Sequence, residues 1–66
     1  MFTIRTHCDG ELLAEHTFDP SGERWGTLEE FNQVLDFTSA HYSDTSGITV
    51  DLFDESGTVT LSHTFA

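Results

Sequence analysis

The sequence predicts one α+β domain over residues 1–66, with its elements in the order β-β-α-β-β. Two hairpins would form a four-stranded antiparallel sheet, and one helix would pack on one face of that sheet while the other face stays solvated. Three observations predict this fold. Apolar and polar residues alternate in 2–8 and 48–53, apolar residues recur at helical spacing in 28–42, and turn signals lie at 9–10 and 54–57. The order of the hairpins within the sheet stays open.

The first hairpin is predicted from the alternation in residues 2–8 and from the turn signal Asp9-Gly10. A two-residue loop would mix the apolar and polar faces of the two strands. A three-residue loop, Cys8-Asp9-Gly10 with Gly10 in the left-handed conformation, keeps one face apolar and is preferred. Arg5 and Glu15 then share the outer face, close enough to pair. The facing pairs in that register are Phe2 with His16, Ile4 with Ala14 and Thr6 with Leu12.

The helix follows a loop rich in helix breakers, residues 19–26. Thr27 and Glu30 match a capping box, which predicts that the helix begins at Thr27. Residues 43–47 end it, and Phe37 lies off the apolar stripe, near the polar side. The stripe consists of Leu28, Phe31, Val34, Leu35, Thr38 and Tyr42. The opposite face carries Glu29, Gln33, Asp36 and Ala40.

The second hairpin is predicted to turn at residues 54–57, with Gly57 at a positive φ. This places Phe53 on the solvated face of the sheet, next to the carboxylate of Asp51, where an aromatic ring is unusual. The predicted inner pairs are Leu52 with Val59, Val50 with Leu61 and Ile48 with His63. The predicted outer pairs are Asp51 with Thr60 and Thr49 with Ser62.

The charge of the chain limits what it can bind. Twelve acidic residues face two arginines and no lysine, which gives a formal net charge of −10. Direct binding to nucleic acid is excluded, because no basic patch exists to neutralise phosphates. Three explanations stay open: solubility, which needs a net charge of only about 2–8, adaptation to a high-salt cytoplasm, and a basic protein partner. We prefer the partner.

The sequence also predicts the compartment. Cys8 is the only cysteine, so no internal disulfide can form and a reducing compartment is expected. The N-terminal residues lack the pattern of a signal peptide, and no apolar run approaches the roughly 20 residues of a membrane span. We therefore expect a cytoplasmic protein, monomeric and without membrane contact.

Neither a metal site nor a catalytic site is expected. In the preferred register His16 and Cys8 lie roughly 20 Å apart along the strand, too far to share an ion. No zinc or calcium motif is present, and no cofactor is predicted. The carboxylates of Asp9 and Glu11 oppose formation of a Cys8 thiolate, and so small a domain offers little concavity for a substrate.

The surface carboxylates are the candidate functional residues. Each one alone would be an ordinary solvated charge, but the lysines that normally intersperse such charges are missing. Partly exposed aromatic residues are typical interface anchors, whereas Trp25 is expected in the core at the seam of helix and sheet. The predicted partner-binding residues are Asp9, Glu11, Glu15, Asp51, Asp54 and Glu55 on the solvated face or at turns, Glu29 and Asp36 on the outer helix face, and Phe53.

A small acidic sheet-and-helix protein of this kind resembles the phage-encoded anti-CRISPR proteins that act on type I Cascade complexes, type I-C among them. The resemblance covers the whole chain in size, charge and element order. It rests on no shared sequence motif. It implies mimicry of double-stranded DNA: carboxylates would occupy the lysines and arginines with which the effector holds target DNA near the protospacer-adjacent motif.

Two other functions fit the same composition. An acidic immunity protein or nuclease inhibitor would also use acids and aromatic residues against a basic cleft. A generic halophile-type domain would have no inhibitory role, but the six phenylalanines, Trp25 and Tyr42 are more bulky apolar residues than salt-adapted chains tend to use. Capture experiments against Cascade and against a nuclease separate the anti-CRISPR function from the nuclease-inhibitor function.

Overall fold

The computed structural model describes the backbone of residues 1–20 and 24–66 and the side chains of residues 1–20 and 26–66. The predicted α+β fold is confirmed: one four-stranded antiparallel sheet and one helix in the order β-β-α-β-β. The strands lie in the order β2-β1-β3-β4, so each hairpin supplies one central and one edge strand. The elements are β1 (Phe2–Cys8), β2 (Glu11–Phe18), α1 (Arg24–His41), β3 (Ile48–Phe53) and β4 (Val59–Thr64).

The central strands β1 and β3 form the floor of the core. Each alternates a buried residue with a more accessible one, and the two strands pair antiparallel from Thr3 opposite Phe53 to Cys8 opposite Ile48. The helix packs its apolar side on this floor, in contact with β3. Fully burying one such side chain contributes about 1.5–3 kcal/mol. The core cluster consists of Ile4, Phe18, Phe31, Val50 and Leu52, with Phe2, Val34, Leu35, Leu61 and Phe65 packed around it.

The predicted register of the first hairpin is wrong. The loop has two residues, Asp9 at φ 52° and Gly10 at φ 79°, both left-handed as the commonest two-residue hairpin turn requires. A β-bulge then follows, because Leu13 is an extra residue on β2 between the partners of Thr6 and His7. The bulge restores an apolar inner face that an unbroken ladder would have mixed. The observed pairs are Phe2 with Phe18, Ile4 with His16 and Thr6 with Ala14, instead of the predicted pairs with His16, Ala14 and Leu12.

The second hairpin differs from prediction for the same reason. Gly57 has the predicted positive φ, 85°. However, the amide of Asp54 donates to the carbonyl of Thr58, so the chain stays paired up to Asp54 and the loop begins one residue later than predicted. A bulge at Thr60 puts Val59 opposite Phe53 on the outer face, where Val59 is 47% exposed. The observed pairs are Leu52 with Leu61, Val50 with His63, Asp51 with Ser62 and Thr49 with Thr64, so the five predicted pairs are wrong.

The helix begins at Arg24, three residues before the predicted start. Thr27 and Glu30 therefore lie inside the helix, so Thr27 is not its N-terminal cap. The helix ends at His41, and the amide of Tyr42 still donates to the carbonyl of Thr38. The predicted position of the Trp25 side chain lies outside the described residues. No helix in the described part of the chain is long and apolar enough to cross a membrane.

Candidate functional site

The predicted acidic residues occupy four separate places instead of one patch. Asp9 and Glu11 lie at one end of the sheet, together with Asp44 from the loop that leads into β3. Asp54 and Glu55 lie at the opposite end, because the β3–β4 turn follows Phe53, which pairs with Thr3 near the start of β1. The helix presents Glu29 and Asp36 to solvent, and the outer sheet face carries Glu15, Asp51 and Phe53.

We call the first group, Asp9, Glu11 and Asp44, the acidic end. The three acids are close enough to act on one group, the thiol of Cys8. Partial burial raises the pKa of this thiol, and the carboxylates raise it further, Asp9 most strongly and also through its hydrogen bond. Asp44 itself is held in place because the backbone amide of Ser46 donates to it, which lowers the pKa of Asp44. The acidic end therefore brings three negative charges close together, and a hydrogen bond holds one of them, Asp44, in place.

The β3–β4 turn holds its own carboxylate rigidly. Asp54 Oδ1 accepts hydrogen bonds from the hydroxyl of Ser56 at 2.7 Å, from the amide of Ser56 at 2.9 Å and from the amide of Thr58 at 3.0 Å. These bonds lower the pKa of Asp54, with the Ser56 hydroxyl as the largest cause. Glu55, next in the chain, is exposed and has no ion pair among the described side chains.

On the outer sheet face, both carboxylates have hydrogen-bond partners within the chain. The predicted pair of Arg5 with Glu15 is confirmed, with Arg5 Nε 2.7 Å from Glu15 Oε2. The guanidinium of Arg5 also lies 5.1 Å from the ring centroid of Phe53, which explains an aromatic residue on this face. Both carboxylates of the face have partners within the chain, because Asp51 is engaged as well. This face therefore carries less unpaired negative charge than the sequence suggests.

Asp51 lies between two side chains near the middle of the outer face. Its Oδ1 accepts a 2.6 Å hydrogen bond from the hydroxyl of Ser62, and its Oδ2 lies 2.8 Å from His7 Nε2. Desolvation acts to raise the pKa of Asp51, but the hydrogen bonds from Ser62 and His7 outweigh it, so the pKa lies below its ordinary value. The serine faces the carboxylate and not the imidazole, which is the wrong order for activating a nucleophile.

Sequence reasoning missed a groove of about 330 Å³ between α1 and β2, which we call the α1–β2 groove. It exists because the helix packs over β3 and leaves Ala14 and His16 of β2 exposed. At its mouth Phe37 is 63% exposed and stacks on His41 at a centroid distance of 5.3 Å. The residues that line it are Ile4, Thr6, Ala14, Glu15, His16, Glu30, Gln33, Val34, Phe37, Thr38 and Tyr42.

One hydrogen bond spans this groove. His16 Nε2 of β2 lies 3.1 Å from Glu30 Oε2 of the helix, and both side chains are substantially exposed. The signal for the groove was present in the sequence as the off-stripe position of Phe37. The predicted register already put His16 on the inner face, opposite Phe2, and the bulge at Leu13 moves it opposite Ile4, where it reaches Glu30 of the helix.

Among the described residues no group of three or more histidine, cysteine or acidic side chains is arranged to hold a metal ion. No protein-family model, curated protein or solved structure matches the chain. Its function is therefore inferred from its surface: carboxylates at both ends and on the helix, and the α1–β2 groove, which is largely apolar and carries Glu30 on its rim.

Proposed function

We propose that this protein is an inhibitor that mimics double-stranded DNA with its surface carboxylates and blocks the DNA-binding, PAM-recognition site of a CRISPR Cascade effector. The observation that carries the proposal is the number of exposed carboxylates without a cationic partner among the described side chains. These are Asp9, Glu11, Glu29, Asp36, Asp44 and Glu55.

The linear charge density is about half that of duplex DNA. Ten net negative charges over a longest dimension of 34 Å correspond to about one charge per 3.4 Å, the spacing along one strand, whereas a duplex carries about one charge per 1.7 Å. An effector must hold its target in a positively charged channel, and a rigid acidic body competes for the same lysines and arginines without base pairing. The same field accelerates association with such a channel.

The exposed acids lie on three sides of the molecule, which suits enclosure by a channel better than docking on a flat surface. The acidic end and the β3–β4 turn occupy opposite ends of the sheet, and the outer helix face connects them. We infer that the protein acts as a monomer in the cytoplasm of the host cell, without a cofactor or catalytic step and without binding nucleic acid itself.

The experiment compares two double charge reversals that leave hydrogen-bonded carboxylates untouched. Glu29→Lys with Asp36→Lys changes the outer helix face, and Glu11→Lys with Glu55→Lys changes the two ends. Each single exposed pair is worth only about 0–1 kcal/mol, so reversal at two sites is needed for a clear effect. The control pairs, Glu29→Gln with Asp36→Asn and Glu11→Gln with Glu55→Gln, remove the same charges without adding repulsion.

Binding to purified Cascade is measured with and without duplex target DNA at two salt concentrations. We expect wild type and DNA to exclude one another, affinity to fall as salt rises, and at least one reversal to weaken binding more than its neutral control. An inhibitor bound to an effector that still holds duplex DNA would contradict mimicry. Binding to a basic nuclease in place of Cascade would favour the immunity-protein alternative, and a fold that requires molar salt would favour the halophile alternative.

A further inference from the structure

The α1–β2 groove combines features that the rest of the acidic surface lacks. Its walls are apolar at Ile4, Ala14 and Val34, its mouth is formed by the exposed ring of Phe37, and the carboxylate of Glu30 lies on its rim. A charge-mimicking surface needs no such concavity, because phosphate contacts are made on an exposed backbone. The groove therefore points to a side chain that is both basic and partly apolar.

We infer that the α1–β2 groove binds an arginine-bearing extended segment of the basic partner. The guanidinium would replace His16 as the hydrogen-bond partner of the Glu30 carboxylate. A nearby apolar side chain of the same segment would pack against Phe37 and Val34. This inference rests on the proposed function, since it assigns one anchoring site within the same interface.

The outer sheet face of this protein contains an arginine paired with an exposed carboxylate. There Arg5 pairs with Glu15 at 2.7 Å and lies 5.1 Å from the ring centroid of Phe53. In the α1–β2 groove the carboxylate of Glu30 and the ring of Phe37 lie too far apart for one guanidinium to contact both, so the arginine takes Glu30 and an apolar side chain takes Phe37. Arginine suits the Glu30 end better than lysine, because its planar head is weakly hydrated and pairs with carboxylates through two donors.

The spacing within the groove suits a segment with two inward side chains. Glu30 and Phe37 are seven residues apart on α1, about 10.5 Å along the helix axis. Alternate residues of an extended chain are about 6.8 Å apart, and an arginine side chain covers the remaining distance. An acidic segment is disfavoured by the net charge of −10, and a purely apolar segment would desolvate the Glu30 carboxylate with only its bond to His16 to offset the cost.

The His16 side chain does not prevent the arginine from reaching Glu30. Its bond to Glu30 is 3.1 Å long between side chains that are 50% and 39% exposed, and pairs this accessible to solvent contribute little. A guanidinium that donates two hydrogen bonds replaces it with a stronger, charge-assisted contact.

The test uses a ten-residue peptide in which arginine and leucine lie two residues apart with serine between them, so that both can face the groove, and a matched peptide with lysine in place of arginine. Peptide affinity is measured by calorimetry, and the contact surface by amide chemical shifts. We expect Phe37→Ala and Glu30→Gln each to weaken the arginine peptide about tenfold, as for a typical interface anchor. The control Glu29→Gln removes the same charge one residue away, outside the groove, and should change affinity less than twofold.

The arginine peptide should bind more tightly than the lysine peptide and shift the amides of Ala14, His16 and Phe37. Shifts confined to the acidic end, equal affinity for both peptides, or equal effects of Glu30→Gln and Glu29→Gln would each overturn the inference. Circular dichroism confirms that the variants are folded, and Glu30→Gln keeps the side-chain shape if Phe37→Ala is unstable.

The same variants with purified Cascade separate this inference from the proposed function. Wild-type protein that neither binds Cascade nor excludes its duplex DNA overturns the proposed function. Wild-type protein that does both, with Phe37→Ala and Glu30→Gln unchanged in affinity, overturns only the role of the groove. Weakened binding by both groove variants, each beyond the change that Glu29→Gln causes by removing one charge of the proposed interface, supports the two together.

Discussion

Two phenylalanines on one helix give a direct test of the packing described above. Phe31 and Phe37 are six residues apart on α1 and carry the same side chain, but Phe31 is 5% exposed in the core and Phe37 is 63% exposed at the mouth of the groove. We predict that Phe31→Ala destabilises the domain strongly and that Phe37→Ala destabilises it weakly. The pair controls for helix propensity, because both changes place alanine in the same helix.

The magnitudes follow from burial. A buried Phe→Ala change costs about 3–5 kcal/mol, whereas Phe37 buries a little over a third of its surface and can relax, so about 1 kcal/mol is expected for it. A domain of this size has a total stability of about 3–10 kcal/mol. Phe31→Ala therefore removes a large part of the stability or unfolds the chain.

The assay is thermal unfolding followed by far-ultraviolet circular dichroism. In a domain this small, 1 kcal/mol corresponds to about 4–8 °C in Tm, so Phe31→Ala should lower Tm by at least about 12 °C and Phe37→Ala by less than about 8 °C. Equal losses, or a larger loss for Phe37→Ala, would refute the assignment of Phe37 to the groove and of Phe31 to the core.

Three further predictions concern backbone, pH and thiol chemistry. Gly57→Ala should destabilise by about 1–2 kcal/mol through its φ of 85° alone, since no atom would contact the added Cβ; urea unfolding measures it, and an unchanged midpoint would contradict it. The lowered pKa values of Asp44, Asp51 and Asp54 contribute stability that is present above the ordinary value of 3.8 and is lost as the pH falls through the folded-state values. The urea concentration at the unfolding midpoint should therefore decrease as the pH is lowered from about 5 to about 2.5. A midpoint that stays constant would count against this prediction. The raised pKa of Cys8 should make its thiol react with a disulfide reagent more slowly at pH 7 than a cysteine peptide does, and Asp9→Asn should speed the reaction; a rate independent of Asp9 would refute the electrostatic cause.

The sequence was sufficient for the fold because each element carries a local signal. Alternation in β1 and β3 predicts two strands whose buried residues all face the helix, and the off-stripe position of Phe37 predicts its exposure. The pair of Arg5 with Glu15 was also predicted, although from a wrong register. It survived because both residues point outward in either alignment.

The registers could not be predicted, since a β-bulge leaves no clear mark in a sequence. Leu13 and Thr60 look like ordinary strand residues, yet each adds one position to an edge strand and shifts every pair beyond it. The start of the helix was missed for another reason: Thr27 and Glu30 match a capping pattern, but such patterns also occur inside helices. The groove depends on both the register of β2 and the position of the helix, which only the folded chain determines.

The two bulges also bear on how the protein interacts. Each lies between a central strand and an edge strand, so both exposed edges of the sheet are bent locally and are poor templates for pairing with another chain. On β2 the charges of Glu11 and Glu15 add repulsion between copies, and the net charge of −10 acts against self-association over the whole surface. These features oppose contacts between copies of the chain and leave contacts with a basic partner unaffected. Since the same charge that separates copies attracts lysines and arginines, a chain built in this way is suited to act alone on a basic target.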